Sequence, residues 1–246
     1  MTVARPSGQA SSGIVGLDML LRQGLPERRL HLVEGVPGTG KTTLAMQFLL
    51  EGKRRGESTL YVTLSETAEE LRAIAASHGW ELDGVALHQL ATGIDRSTDE
   101  YTLFHSAEIE LGDLTKTILS QVDELKPTRV VIDSLSELRL LARDPLRYRR
   151  QILGLKEFFA NKSCTVLMLD DQSGGHEGPQ LRSIAHGVVL LENLPFDYGR
   201  ARRRLRIVKM RGQAFTEGFH DFSIVRGGIV VYPQLVPGTA SPAPSA

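Results

Sequence analysis

Cysteine is almost absent from this chain: Cys164 is the single one in 246 residues. That excludes an internal disulfide framework and any zinc site built on several cysteines. The thiol lies beside an apolar run and reads as a small core residue. Net charge is lacking as well. Lys and Arg number 29 and so do Asp and Glu, so nothing pulls the whole chain toward nucleic acid or an anionic membrane. No apolar stretch is long enough to span a bilayer, and the N-terminus carries no apolar signal-peptide core. The expectation is a soluble, cytoplasmic protein. No internal repeat is visible. The hydrophobic share of 41% is enough for a core that needs no staples.

Against this plain background one motif stands out. Gly35-Val36-Pro37-Gly38-Thr39-Gly40-Lys41-Thr42 matches the phosphate-binding pattern G-x-x-x-x-G-K-[ST] at every required position. The apolar run Leu30 to Val33 leads in as a strand, and Thr43 to Leu50 leads out as a helix. The chemistry needs that order. Gly35, Gly38 and Gly40 let backbone N–H groups turn inward around phosphate oxygens, with Pro37 and Thr39 completing the turn. The start of the helix, where Thr43 follows the motif, adds partial positive charge. Lys41 would reach the β- and γ-phosphates, and the Thr42 hydroxyl would ligate Mg²⁺. ATP with Mg²⁺ is the expected ligand.

Strand and helix signals alternate through the rest of the chain. Strands are predicted at 58–64, 86–90, 129–132 and 165–169, and helices at 67–77, 111–125 and 145–159. Thr67 with Glu70 fits a capping box, and Pro145 suits a first helical turn. After residue 187 the pattern becomes successive strands at 188–192, 203–211, 219–225 and 228–232. The fold class is α/β: a mostly parallel twisted sheet with helices on both faces, extended by antiparallel C-terminal strands. A flexible arm is expected over 1–12, one domain over 13–236, and a disordered tail or linker over 237–246.

A P-loop names a ligand, and further groups must name a reaction. Asp133 ends an apolar strand, where a carboxylate faces the ligand crevice and can hold Mg²⁺; a loop-capping aspartate reads the same way. Glu66 follows the strand at 58–64. It could orient or deprotonate water, or stabilise the first turn of the next helix. Lys209 and Arg211 are two cations on one strand face, which can clamp phosphate charge in phosphoryl transfer. The plainer reading of that basic segment, Arg200 to Arg206 included, is a solvated edge strand. Few aromatics are interleaved with it, which weighs against nucleic acid as a partner.

These segments, in this order, resemble the KaiC-like branch of the RecA superfamily of ATPases. The match runs from Ser12 to about Pro233. It opens on Ser12-Gly13-Ile14-Val15-Gly16-Leu17-Asp18 and takes in the P-loop, Tyr61 to Leu64, Val131 to Leu135 and Lys209-Met210-Arg211-Gly212. The resemblance implies a RecA-like P-loop NTPase core and a homo-oligomeric ring, typically a hexamer, with ATP between neighbouring subunits. Lys209 and Arg211 would then act on the ATP held by the next subunit. One departure matters. The family usually carries two consecutive glutamates where this chain has Ser65-Glu66. The base commonly assigned to the first of them is missing, leaving Glu66 to substitute and slow hydrolysis as the expectation. Asp170 and Asp171 lie near the family's γ-phosphate-sensing position. Ser183, beside Arg182, falls in the region where clock members autophosphorylate, and no autokinase is expected from it. The function expected is a slow ATPase that signals its nucleotide state to a protein partner. A DNA-repair ATPase of the same superfamily and a non-hydrolysing ATP-sensing scaffold are the alternatives.

Overall fold

A computed structural model describes residues 8–90, 107–142, 144–171, 178–195, 198–199 and 201–234. In chain order the elements are β1 (Gln9–Ala10), α1 (Val15–Leu20), β2 (Leu25–Pro26), β3 (Leu30–Gly35), α2 (Lys41–Arg54), β4 (Thr59–Thr63), α3 (Ala68–Ser77) and β5 (Ala86–Gln89). There follow α4 (Ala107–Leu125), β6 (Arg129–Asp133), α5 (Leu135–Ala142), α6 (Pro145–Ala160), β7 (Thr165–Asp171), α7 (Gly178–Ile184), β8 (Gly187–Leu194), β9 (Arg202–Met210), β10 (His220–Val225) and β11 (Gly228–Tyr232).

Nine strands form one sheet in the order β11-β10-β9-β8-β3-β7-β6-β4-β5. The six from β8 to β5 are parallel, and β9, β10 and β11 are added antiparallel. This is the architecture expected from the sequence. Its cause is visible in the period-two alternation of buried strands. In β6, Val131 enters one core with α1, α2 and α3, while Val130 and Ile132 enter a second core with α4 to α7. Both faces of the sheet are therefore covered.

Local signals set the helix starts. Thr67 caps α3 and Glu70 returns the bond, completing the capping box. Asp144 accepts from the Leu146 and Arg147 N–H groups ahead of Pro145 at the start of α6. Three short helices, α1, α5 and α7, were not foreseen, since six to eight residues carry too few periodic positions to read.

Two expectations change. The described part of the predicted loose arm is tied down: Gln9–Ala10 pairs with Leu25–Pro26. The Ser11 carbonyl accepts from Arg129 at 2.6 Å, and Ser12 bonds to Asp18 through both N and Oγ. Residues 1–7 and the predicted tail at 237–246 lie outside the described residues. The basic strand β9 is interior, between β8 and β10, where an edge strand was the plain reading. Two of its arginines are paired in place: Arg202 with Asp221, and Arg204 with Glu192 while it stacks over Phe219. Among the described residues no helix is long and apolar enough to cross a membrane.

Candidate functional site

The glycine-rich loop takes its shape from contacts that only small residues allow. A Cβ on Gly35 would lie 2.5 Å from Thr39 Oγ1 and 2.7 Å from the Leu191 carbonyl. Gly38 and Gly40 have φ of +80° and +106°, a region that costs other residues about 1–2 kcal/mol. Thr39 Oγ1 donates to the Val36 carbonyl at 2.9 Å and closes the turn around Pro37. Helix α2 starts at once, so its unpaired N–H groups and positive end face the loop. Lys41, Thr42 and Thr43 form its first turn.

Around that turn the sheet delivers carboxylates. Lys41 is buried, and its Nζ lies 2.6 Å from Asp171 Oδ1 while donating to the Gly35 and Val36 carbonyls at 2.8 and 3.2 Å. Thr42 Oγ1 donates to Asp133 Oδ2 at 3.1 Å, and the Tyr61 hydroxyl donates to the same oxygen at 2.5 Å. Burial is the largest influence on Asp133 and pushes its carboxyl up to about 6; the Tyr61 and Thr42 hydrogen bonds pull it down, and the charge of Glu66 adds to the rise. Burial, then Asp133, holds the Tyr61 phenol far above its ordinary value.

Glu66 therefore belongs to the same electrostatic cluster as Asp133. It precedes the N-cap Thr67 and lies outside α3, whose first turn is supplied by Glu69 and Glu70. Thr63 fixes it from the strand end: Thr63 Oγ1 donates to the Glu66 carbonyl at 2.8 Å and accepts from its N–H at 3.0 Å. Ser65 Oγ donates to Glu66 Oε2 at 2.7 Å.

Lys209 and Arg211 are brought together, and both are kept away from this cluster. Lys209 pairs with Val188, which pairs with Leu32, three residues before Gly35 along β3. That is about 10 Å back along the strand direction and two strands across. Arg211 lies just past β9, its N–H on the His186 carbonyl, and His186 bonds in turn to Leu30. The two cations donate to successive carbonyls of α7: Lys209 Nζ to Arg182 and Arg211 Nη2, at 2.9 Å, to Ser183. Burial, then Arg211 and Lys156, lowers the Lys209 ammonium below its usual range.

Several partners escaped the sequence reading. Tyr61 reads from sequence as a strand residue only, Arg182 only as the neighbour of Ser183, and Glu34 and Arg139 belong to no motif. In the structure Glu34 is 0% exposed and takes a forked bond from Arg182, with Nε at 3.1 and 2.8 Å from its two oxygens. Asp170 is buried against Arg139 at 2.5 Å. Desolvation outweighs that guanidinium and pushes the Asp170 carboxyl up to about 6. An ionisable residue in an otherwise buried strand run, as at Glu34, is the one signal that could have flagged this network.

The KaiC ATPase family model matches residues 10–236. The chain belongs to the KaiC family of ATPases. Single-domain relatives match along nearly their whole length. A UPF0273 protein of Pyrococcus horikoshii is 32% identical over 238 residues, covering 93% of this chain and 95% of that protein. A UPF0273 protein of Thermotoga maritima is 31% identical, covering 92% and 96%. The circadian clock oscillator protein KaiC of Parathermosynechococcus lividus is 31% identical over 90% of this chain, which spans 42% of that longer protein. The crystal structure of a KaiC-like protein from Pyrococcus horikoshii OT3 superposes with a TM-score of 0.77 at 29% identity, over 93% of this chain and 100% of the other.

The residues present suit the nucleotide and metal that a KaiC-family ATPase implies. Beside Gly38, no heavy atom stands within 4 Å of where a Cβ would be, so the loop is open to a phosphate there. Thr42 Oγ1 and Asp133 Oδ2 offer hard oxygen donors side by side, the type Mg²⁺ prefers.

Proposed function

We propose that this protein is a slow ATPase whose sites are shared between neighbouring copies in a ring of hexameric type, and that it signals its nucleotide state to a protein partner. The observation that carries the reading is the strand register. Lys209 and Arg211 lie at the end of the sheet opposite the subunit's own P-loop, so phosphate-clamping cations of this kind fit a nucleotide held by another copy.

Within one subunit the geometry supports one division of roles. The N–H groups from Gly35 to Thr43 bind phosphate oxygens. Lys41 leaves Asp171 for the β- and γ-phosphates. Thr42 and Asp133 would hold Mg²⁺, which when bound would neutralise phosphate charge. Glu66, pinned by Thr63, orients a water and accepts its proton at the carboxylate. Lys209 and Arg211 of a neighbouring copy stabilise charge on the transferring phosphoryl group. Slow turnover is supported by Ser65: one carboxylate stands where the family pattern has two, and one of its oxygens already accepts the Ser65 hydroxyl.

Light scattering with and without Mg-ATP tests the assembly, on wild type and Lys41→Ala. Growth to a discrete ring in wild type, absent in Lys41→Ala, is the expected result. A wild-type monomer at saturating Mg-ATP would overturn the shared site.

A further inference from the structure

The fork between Glu34 and Arg182 stands on the α4–α7 face of the sheet, away from the Lys41–Thr42–Asp133 cluster. Glu34 immediately precedes Gly35, so its position is that of the strand carrying the P-loop. It is fully buried, and both of its oxygens face the Arg182 guanidinium. A buried carboxylate held by a planar fork is a stiff connection, because any slippage strands a charge in a dry site. Arg182 reaches it by lying back toward the start of α7, the direction helical side chains take.

The backbone of that same arginine does something else. Its carbonyl accepts from Lys209 Nζ, and the next carbonyl, Ser183, accepts from Arg211 Nη2 at 2.9 Å. Two consecutive residues of α7 thus hold both cations, while one of their side chains is locked to the P-loop strand. Strand β8 ties their backbones to β3, Lys209 through Val188 to Leu32 and Arg211 through His186 to Leu30; the charged side-chain ends are held by α7.

We infer that Glu34 and Arg182 are positioning residues for Lys209 and Arg211, fixing through α7 where the two cations stand relative to the strand that carries the subunit's own P-loop. This rests on the shared-site reading given above. Displacement of such a clamp by about 1 Å costs about 10²-fold in rate, so neutralising the fork lowers turnover by about that factor without changing nucleotide affinity at the P-loop.

The test is complementation between subunits, read as phosphate release from Mg-ATP. Arg182→Gln alone strands the Glu34 charge and risks misfolding, so the main variant is the double change Glu34→Gln with Arg182→Gln. Arg182→Lys, which keeps the charge and drops the fork, gives the same comparison if the double variant does not fold. Each is assayed alone and mixed with excess Glu66→Gln subunits, which assemble with nucleotide, turn over slowly and keep intact cations. The expected result is a loss of about 10²-fold alone and recovery in the mixture, where the variant's P-loop is served by the Glu66→Gln neighbour. Damage confined to the variant's own P-loop would not recover, and that outcome overturns the assignment. Arg211→Ala mixed with Glu66→Gln is the control. Recovery there without recovery of the fork variant overturns only this assignment; no recovery in the control overturns the shared site and the assignment with it.

Discussion

The two ends of the central sheet are built on opposite electrostatic plans. At the C-terminal ends of the parallel strands, carboxylates and cations are interleaved: Asp171 against Lys41, Asp170 against Arg139, Glu34 against Arg182. At the other end, Arg29, Lys156, Lys209 and Arg211 all act on His186 with the same sign. Together with burial, the largest cause, they lower its pKa to about 4. The first end is compensated from within. The second collects cations around a neutral imidazole, and such a cluster suits an anion supplied from outside the subunit. The difference sets Lys41, Asp133 and Glu66 at one end of the sheet and Lys209 and Arg211 away from them.

The largest expected effect breaks the cation end alone. Arg211→Ala lowers phosphate release by about 10³-fold or more, the range for an arginine that stabilises phosphoryl transfer. Its affinity for a fluorescent ATP analogue stays at the wild-type value; turnover at full rate in this variant would refute the role given to Arg211. At the carboxylate end, Glu66→Gln lowers turnover by about 10²-fold or more while nucleotide-driven assembly persists. Unchanged single-turnover rates would remove Glu66 from the chemistry.

The smallest effect compares the two ends by pH. His31 is buried beside His186, and its pKa falls to about 4, chiefly by burial, from 6.5 in the unfolded chain. The unfolded chain binds the proton first, so this contribution is whole above 6.5 and is lost as pH falls toward 4, by about 2 kcal/mol at pH 5. Asp170 has the opposite sign. Its folded value of about 6 lies above the 3.8 of the unfolded chain, so its contribution is whole below 3.8 and is lost as pH rises through 6. Urea midpoints between pH 7 and 5 should fall less steeply for His31→Gln than for wild type, and more steeply for Asp170→Asn. Parallel curves for all three proteins would deny that the two ends titrate against each other.

How far the sequence carried depended on the range of each signal. The P-loop, the capping box at Thr67 and Glu70, and the apolar strand that ends in Asp133 are local patterns, and each appears where it was predicted. So does the juxtaposition of Thr42 with Asp133, because a P-loop and a strand-end aspartate in one parallel sheet converge at the same edge. Arg182 and Glu34 are 148 residues apart, and no local pattern links them. The interior place of β9 was hidden for the same reason. Arg202 and Arg204 look solvated until Asp221 and Glu192 arrive from neighbouring strands and Phe219 from just before β10. The place of Glu66 needed the fold, since only the start of α3 at Ala68 shows that it stands outside the helix.

The pairing of Lys41 with Asp171 has a consequence for how a nucleotide is weighed. An incoming polyanion releases mobile ions when a cation of the protein neutralises it, and their release makes binding steeply dependent on salt. Here the anion given up is tethered to the protein at the end of β7 and stays in the site. Binding is then an exchange of one fixed charge for a mobile one. The Ser136 hydroxyl on α5 already donates to Asp171 Oδ2 at 3.3 Å, so the carboxylate keeps a partner when Lys41 leaves it.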